Sequence, residues 1–195
     1  MTGSPNTPVT IAGNGGLQTF LITFRGTQAF SAPAMPIAFL CTSGAALEEA
    51  NIVPGVDTVD LAMSSTAVAD VIALAATPTS NGILEMPVNG AAAFAVASTN
   101  VGVTAPLTVS VDTGNASLPL AVSICQSNPS NGQCLAPAAS SVSLSYAGGT
   151  APTFSVFAAA TGSIAFNPAA TRIFVRFKDS SGGLHGSTSV AVETN

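Results

Sequence analysis

Residues 172–179 read RIFVRFKD and alternate between two kinds of side chain with a period of two. Successive side chains of a β-strand point to opposite faces. One row would therefore be apolar and consist of Ile173, Val175 and Phe177. The other row consists of Arg172, Phe174, Arg176 and Lys178, which include three of the four basic residues of the chain. The stretch predicts a strand with one buried face and one exposed face that gathers positive charge around an aromatic ring.

The same alternation appears in other parts of the chain. The clearest runs are QTFLITFRG (18–26), PLTVSVD (106–112), SVSLSYA (141–147) and STSVAVE (187–193). Segments rich in Gly, Asn, Asp, Ser and Pro separate the runs, for example DSSGG at 179–183. Short alternating runs with turn signals between them are typical of sandwiches and barrels. The sequence therefore predicts an all-β fold built from antiparallel sandwich sheets.

Two segments are ambiguous at the level of local structure. SGAALEEAN at 43–51 is compatible with a turn or two of helix. STAVADVIALAAT at 65–77 suits a helix by its alanines and a strand by its valines and isoleucine. Turn signals directly after it, at Pro78 and Asn81-Gly82, favour a strand.

The run PVNG at 87–90 is a candidate domain boundary. It divides the strand candidates into two groups, each large enough for a small sandwich. We therefore expect an N-terminal extension at 1–16, a first β-sandwich module at 17–88 and a second at 89–195. The two modules would pack closely, because no long linker joins them. A single continuous sandwich of two sheets is the alternative.

Composition excludes several classes of partner. Only 7% of the 195 residues are charged, and the net charge is −5. Non-specific nucleic-acid binding relies on clustered Lys and Arg, which four cations do not supply. A membrane-spanning helix needs about 20 apolar residues, whereas the longest apolar run is AAAFAVA at 91–97. We predict no nucleic-acid partner and no membrane insertion.

Three cysteines give information about the compartment. Cys125 and Cys134 bracket QSNPSNGQ, whose Asn-Pro and Asn-Gly pairs are turn signals. This pattern predicts a disulfide that closes a β-hairpin, and two unrelated thiols are the alternative. Cys41 would share a strand face with Ile37 and Phe39, which predicts a buried, inert thiol; an intermolecular bridge is the other interpretation.

A disulfide indicates an oxidising compartment, so we expect an extracellular or cell-surface protein. The N-terminal sequence MTGSPNTPVTIAGNGG has neither the charged start nor the apolar core of a signal peptide. We therefore expect the chain to be the mature segment of an exported protein; export by another route is the alternative.

Three stretches resemble a known family. They are CQSNPSNGQCL at 125–135, RIFVRFKDSSGGLHGSTSVAV at 172–192 and, in support, AFAVASTNVG at 93–102. Together they resemble immunoglobulin-like β-sandwich modules of secreted and surface multi-modular proteins from proteobacteria. The resemblance is specific over about 91–195 and looser over 17–85. It implies tandem Ig-like modules that are extracellular and non-catalytic, and it supplies no catalytic or binding residues.

The residues offer few candidates for chemistry. His185, the only histidine, lies in the Gly-rich run SSGGLHGS and is expected to be an exposed loop residue. Asp57 and Asp60 are close in sequence, but their odd spacing places them on opposite strand faces, which does not suit a paired-carboxylate site. Asp112 and Asn115 could contribute to a weak calcium site, although 6–8 oxygen ligands are needed. We predict no catalytic residues, no metal site and no cofactor.

The function that these patterns favour is a non-catalytic extracellular structural or adhesive module for surface display or protein–protein assembly. Its partners would be other protein modules or copies of the same chain. A carbohydrate- or ligand-binding accessory module of a secreted enzyme is the first alternative. Against it, the chain has no Trp and one Tyr, and its ten Phe are expected to face mostly inward. A small hydrolase is the third alternative, and it would depend on His185.

The cationic row on 172–178 has two interpretations. It is a solubility device for a long apolar strand, or it is a docking stripe for an acidic module or an anionic surface polymer. The docking stripe would consist of Arg172, Phe174, Arg176 and Lys178.

Overall fold

The computed structural model describes residues 4, 7–37, 39, 41, 42, 55 and 58–195. Within these residues the chain forms eleven β-strands and no helix, so this part contains no helix that could cross a membrane. The strands are β1 (Phe30–Pro36), β2 (Thr58–Met63), β3 (Val71–Ala76), β4 (Ile83–Met86), β5 (Ala91–Asn100), β6 (Ala105–Asp112), β7 (Leu120–Ser127), β8 (Ser141–Tyr146), β9 (Thr153–Ala160), β10 (Arg172–Lys178) and β11 (Leu184–Thr194). The all-β class predicted from the sequence is confirmed. The helix considered at 43–51 lies outside the described residues.

Nine strands form the two layers of a sandwich. One sheet has the order β4-β11-β10-β6-β8 and the other has the order β3-β5-β9-β7. Neighbouring strands are antiparallel except β4, which runs parallel to β11. The remaining two strands, β1 and β2, pair with each other in a separate antiparallel sheet.

Sheet pairing crosses the boundary that was predicted at 88/89. β3 and β4 precede it, yet β3 pairs with β5 and β4 pairs with β11. The PVNG run is instead a tight turn, in which the amide of Gly90 donates to the carbonyl of Pro87 at 2.8 Å and Asn89 has a φ of 60°. Turns inside a domain and linkers between domains share the same residues, so composition could not separate them. Of the two predicted arrangements, β3–β11 correspond to the single continuous sandwich.

The strand order shares part of the immunoglobulin arrangement. Immunoglobulin sandwiches have the order A-B-E-D in one sheet and C-F-G in the other. With β3 as A and β5 as B, the four-stranded sheet reproduces A-B-E-D, and β11-β10-β6 reproduces G-F-C. However, β7 occupies the position of strand D, and β8 lies beside β6, the strand in position C. In this chain β7 comes before β8. The chain therefore departs from immunoglobulin order at these two edge strands.

The core lies between the two sheets. Its largest fully buried side chains come from both layers: Tyr146, Phe154, Phe177, Leu84, Met86, Ile124 and Ile173. Complete burial of an apolar side chain of this size contributes about 1.5–3 kcal/mol each. Ile173, Val175 and Phe177 of β10 have no exposed surface, which confirms the inward row predicted for RIFVRFKD.

A buried polar group joins the layers at one end of the sandwich. Asn100 is fully buried at the end of β5. Its amide nitrogen donates to the carbonyls of Val103 and Tyr146, at 2.8 and 3.0 Å. Its amide oxygen accepts from the backbone amides of Asp70 and Gly102, both at 3.0 Å. The four bonds use the full capacity of the side chain, which is why a buried amide is tolerated here.

The prediction of a strand at residues 18–26 is wrong. No strand forms there, and the apolar side chains that were expected to face inward are exposed: Phe20 by 48%, Ile22 by 45% and Phe24 by 39%. Alternation shows that a segment can be a strand, but a strand also needs a neighbour that accepts its backbone hydrogen bonds. Within the described residues this segment has no such neighbour.

Candidate functional site

The outer face of β10 carries the charged row that was predicted, and β6 supplies its partner. Arg176 donates from Nε to Oδ2 of Asp112 at 2.9 Å, so the two residues form an ion pair across neighbouring strands. The side chains are 21% and 39% exposed, which limits the pair to a modest contribution of about 0.2–1 kcal/mol.

Phe174 stands between the cations but is not available to a partner. Only 6% of it is exposed, and the guanidinium carbon of Arg176 lies 4.5 Å from its ring centroid. Two glycines with positive φ approach its edges: an added Cβ would stand 3.0 Å from the ring at Gly114 and 3.3 Å at Gly55. The aromatic part of the predicted docking stripe is therefore covered by the chain itself.

Arg172, at the start of β10, is also occupied. It donates to Oγ of Ser189 at 3.1 Å and to the carbonyl of Pro168 at 2.8 Å. Burial lowers the pKa of this guanidinium from its ordinary value. The structure thus brings Arg172, Phe174 and Arg176 of the predicted stripe to one face, but it engages each of them internally. Docking of a partner on the stripe, which also includes Lys178, stays a prediction.

Next to the stripe lies an open cleft of about 830 Å³ between β2 and the outer face of β11. Its polar lining includes Asp60, Asp179, His185 and Ser187, and its aromatic lining residue is Phe30. Asp60 accepts from the backbone amide of Ala34 at 2.9 Å and from Ser187 at 3.3 Å. The other residue of the carboxylate pair considered from sequence, Asp57, lies outside the described residues.

His185 is not the exposed loop residue that the sequence predicted. It lies on β11, and its side chain is only 15% exposed. Nδ1 lies 2.9 Å from the carbonyl oxygen of Ala69, and Nε2 lies 2.8 Å from Oδ2 of Asp179. Both partners are acceptors, so both contacts are hydrogen bonds only when the imidazole carries two protons. The sequence missed this burial because Ala69 is distant in the chain.

The arrangement around His185 fixes a loop. Asp179 accepts from the hydroxyl of Ser181 at 2.6 Å and from the backbone amides of Ser181 and Gly183 at 2.8 and 2.9 Å. The Ser181 hydroxyl and then His185 hold the pKa of Asp179 well below its usual range. In a hydrolase triad the second imidazole nitrogen would meet a serine hydroxyl, whereas here it meets the carbonyl of Ala69. Neither imidazole nitrogen contacts a nucleophilic side chain. The small-hydrolase alternative stays a prediction.

The residues considered for calcium serve other bonds. Asp112 accepts from Arg176 and, at 2.7 Å, from the backbone amide of Gly114. Among the described residues, no group of three or more His, Cys, Asp and Glu side chains is arranged to hold a metal ion.

The predicted disulfide is present. Cys125 on β7 is joined to Cys134, with the Cα atoms 5.6 Å apart. The returning segment lies along the edge of β7: the amide of Leu135 donates to the carbonyl of Gln126, and Ile124 forms a bridge with Ala139. The disulfide therefore closes a hairpin-like excursion that covers this edge.

The prediction of a buried Cys41 is wrong, because the residue is a free and exposed cysteine. β1 ends at Pro36, before the run PIAFLC reaches the cysteine. Its neighbours Ile37 and Phe39 are 36% and 49% exposed. The strand face that would have buried the thiol does not continue this far. The intermolecular bridge stays a prediction.

The sequence interpretation missed an apolar surface on the four-stranded sheet. We call it the open sheet face, and it consists of Ile72, Leu74 and Ala76 on β3, Ala91, Ala93, Ala95 and Ala97 on β5, Phe157 and Ala159 on β9, and Ala121 on β7. Leu74 is 71% exposed, Ile72 60% and Phe157 38%. None of the four strands contains a charged residue. A signal was present in AAAFAVA and VIALAA, where both alternating rows are apolar.

The expectation that the ten Phe face mostly inward is also wrong. Phe94, Phe154, Phe174 and Phe177 are buried, but the other six are at least 37% exposed. The exposed ones are Phe20, Phe24, Phe30, Phe39, Phe157 and Phe166.

Comparisons with known proteins give matches among solved structures. Neither protein-family models nor curated protein sequences give a match. Among solved structures, the major pilin subunit BcpA of Bacillus cereus matches with 8% identity and a TM-score of 0.42, over 86% of this chain and 65% of the pilin. AvmM, which catalyses macrocyclization in alchivemycin A biosynthesis, matches with 13% identity and a TM-score of 0.37, over 80% of this chain and 96% of that protein. A β-glucosidase from Listeria innocua matches with 10% identity and a TM-score of 0.30, over 76% of this chain and 19% of the enzyme.

Proposed function

We propose that this chain is a non-catalytic structural module of an extracellular or cell-surface protein and that it assembles with other copies of itself. The observation that carries this proposal is the open sheet face. Monomeric soluble proteins rarely leave a broad apolar surface exposed, and surfaces of this kind are typical of sites of protein association. Here the surface spans all four strands of one sheet and lacks any charge.

Two further features support an extracellular or cell-surface location. The disulfide between Cys125 and Cys134 is of the kind that persists in oxidising compartments. The three stretches that resemble immunoglobulin-like modules of secreted proteins, at 93–102, 125–135 and 172–192, all lie in the sandwich. Adhesion to a foreign surface and glycan binding stay secondary hypotheses, because the cleft beside β11 has one aromatic lining residue, Phe30.

Sedimentation velocity of the full chain over a wide concentration range tests the proposal. The measurement uses Cys41→Ser as the parent, so that covalent bridging through the exposed thiol does not contribute. We expect reversible association, and we expect Leu74→Lys to weaken it by about tenfold, because a charge would be buried at the contact. Ser145→Lys is the matched control: it adds the same charge to an exposed position of β8 in the opposite sheet.

Association that Ser145→Lys leaves unchanged and Leu74→Lys weakens would support the proposal. A parent chain that is monomeric throughout the range would contradict it. Equal effects of the two lysines would assign the association to another surface.

A further inference from the structure

We propose that two copies of the chain stack face to face through their open sheet faces and that association stops at this pair. This inference rests on the proposed function and specifies the geometry of the assembly. It follows from the charge, the shape and the size of the open sheet face.

The open sheet face presents apolar side chains rather than free backbone groups. β5 and β9 are paired on both of their sides, with β3 and β7 as the outer strands. The four strands contain no charged residue. A charged partner would therefore lose its hydration at this face without gaining an ion pair. The face selects a partner surface that is itself apolar and uncharged.

The opposite broad face of the sandwich does not meet this requirement. The five-stranded sheet carries the ion pair of Arg176 and Asp112 on its outer side. Part of that side is already covered, because Ser187 donates to Asp60 of β2 at 3.3 Å. A head-to-tail stack of one sheet on the other would bury these charged groups, and burial of an ion pair is costly. Of the two broad faces, the open sheet face therefore matches only itself.

A face that binds itself forms a closed pair. An interface made by the same surface on both subunits has two-fold symmetry. Each copy uses its open sheet face in that contact, so no second face of this kind remains for a third copy. Association is therefore expected to end at a dimer, whereas a head-to-tail contact would continue into a filament.

The face also has a projecting part and a recess. Ile72 and Leu74 project from β3 and are 60% and 71% exposed. The recess is a shallow groove of about 470 Å³ over β5, β9 and β7, and its lining includes Ala91, Ala159 and Ala121. Large apolar side chains on one copy can fill a groove that is lined by small ones on the other.

The sheet register places the projection and the recess at opposite ends of the face. Leu74 lies opposite Ala97 of β5, and Ala159 lies opposite Ala91 of the same strand. The two levels are about 20 Å apart at about 3.3 Å per residue. A two-fold axis between the faces that passes near Ala95 therefore brings each projection over the recess of the other copy. Stacked sheets of this kind lie about 10 Å apart.

The size of the face suits a weak dimer. The segment returned by the disulfide limits the face on one side, where Ser155 donates to the carbonyl of Gly132 at 3.3 Å. Two faces in contact would bury on the order of 1,000 Å², which is the lower limit for a specific interface. We therefore expect a dimer that dissociates at roughly micromolar concentration.

Opposite charges at the centre of the face test the two-fold arrangement. Ala95 is exposed, and Ala95→Lys or Ala95→Glu places two like charges near the axis in a pair of identical copies. With Cys41→Ser as the parent, sedimentation velocity should show each variant alone associating about tenfold more weakly. An equimolar mixture of the two variants should return to within about threefold of the parent, because each mixed pair joins a lysine to a glutamate.

The mixture separates the face-to-face contact from a head-to-tail contact. If the open sheet face contacted a different surface of the next copy, the lysine and the glutamate would not meet, and mixing would not restore association. That result would overturn the inference. The same exchange at Ser145, which is exposed on β8 of the other sheet, is the matched control. It should leave association unchanged, and an equal response there would also overturn the inference.

A second exchange tests the placement of the projection over the recess. Copies with Leu74→Lys mixed with copies with Ala159→Glu should associate more tightly than either variant alone. A mixture of Leu74→Lys and Leu74→Glu should show no such gain, because the proposed axis keeps these two positions apart. The reverse result would overturn this placement. Circular dichroism checks that each variant is folded, and this exchange keeps the inference testable if a change at Ala95 disturbs folding.

Sedimentation equilibrium of the parent tests closure. We expect the mass to rise to that of two chains and to stay there as the concentration increases. Continued growth beyond the dimer would overturn the inference while the proposed function stands, because the copies would still associate. A parent that remains monomeric would instead contradict the proposed function itself.

Discussion

The guanidinium group of Arg176 lies over the ring of Phe174, with 4.5 Å between the guanidinium carbon and the ring centroid. The two residues are outward neighbours on one strand, and the stacking places a cation against the electron-rich ring face. Arg176 also forms an ion pair with Asp112, so one guanidinium group contacts both the ring of Phe174 and the carboxylate of Asp112. The sequence indicated that β10 presents a positively charged binding surface. In the structure, part of this positive charge is neutralised by Asp112 of the neighbouring strand.

Replacement of Phe174 by alanine should destabilise the protein as a core substitution does. The ring is 94% buried by neighbours that include Arg176 and Gly114, so we expect Phe174→Ala to lower the free energy of unfolding by about 3–5 kcal/mol. Urea denaturation measures the change. Phe166→Ala, at a position 54% exposed, is the control and should stay within about 0.5 kcal/mol of the parent. Similar losses for both variants would mean that the ring is not buried.

Asn100 should be among the most sensitive polar residues. Asn100→Ala leaves two backbone carbonyls and two backbone amides without their partner in a buried site. Each unsatisfied group costs about 1–3 kcal/mol, so we expect a loss of about 3 kcal/mol or more in the free energy of unfolding. Thermal and urea unfolding should both report it. Asn131→Ala, in an exposed turn, is the matched control, and a comparable loss there would contradict the role given to Asn100.

Reduction of the disulfide should lower stability without changing the sheet order. The bond closes a short loop between Cys125 and Cys134, which corresponds to about 2.5–3 kcal/mol in the chain-entropy model. The free energy of unfolding is measured with and without reductant, and the double variant Cys125→Ser/Cys134→Ser should reproduce the reduced value. A reductant effect that persists in the double variant would point to another cause.

Asp179 should make stability depend on acid pH. Its pKa in the folded protein is held below its ordinary value near 3.8, chiefly by the hydroxyl of Ser181 and then by His185. A depressed pKa stabilises the folded state fully above the ordinary value, and this stabilisation is lost as the pH falls below it. The free energy of unfolding, measured between pH 6 and about pH 2, should therefore fall more steeply in the parent than in Asp179→Asn. Identical pH profiles would contradict the strong bonding of this carboxylate.

Much of the fold could be predicted from local pattern. Alternation in PLTVSVD, STSVAVE and RIFVRFKD predicts strands that the structure contains, and the turn residues between Cys125 and Cys134 predict the disulfide. These signals are local, because the period of two and the turn preferences act over a few residues. The same signals misplaced a domain boundary at 87–90 and a strand at 18–26, since neither pattern specifies which strands pair.

The candidate site was predicted less completely. The charged row of β10 follows from the period of two, but the burial of Phe174 depends on Gly55 and Gly114, which are distant in the chain. The burial of His185 likewise depends on Ala69, more than a hundred residues away. Contacts of this range are set by how strands are ordered in the sheets, and no local pattern encodes them.

The amino-acid sequence by itself determined the all-β class, the inward row of β10, the disulfide and the low charge of the surface. Each of these follows from side-chain chemistry within one segment. Only the tertiary structure decided that β3 and β4 join the later strands and that one face of the four-stranded sheet stays open. It also left residues 18–26 without a strand partner among the residues that the structure describes. These outcomes depend on pairing between distant strands, because a strand becomes stable only when another strand accepts its hydrogen bonds and covers its apolar row.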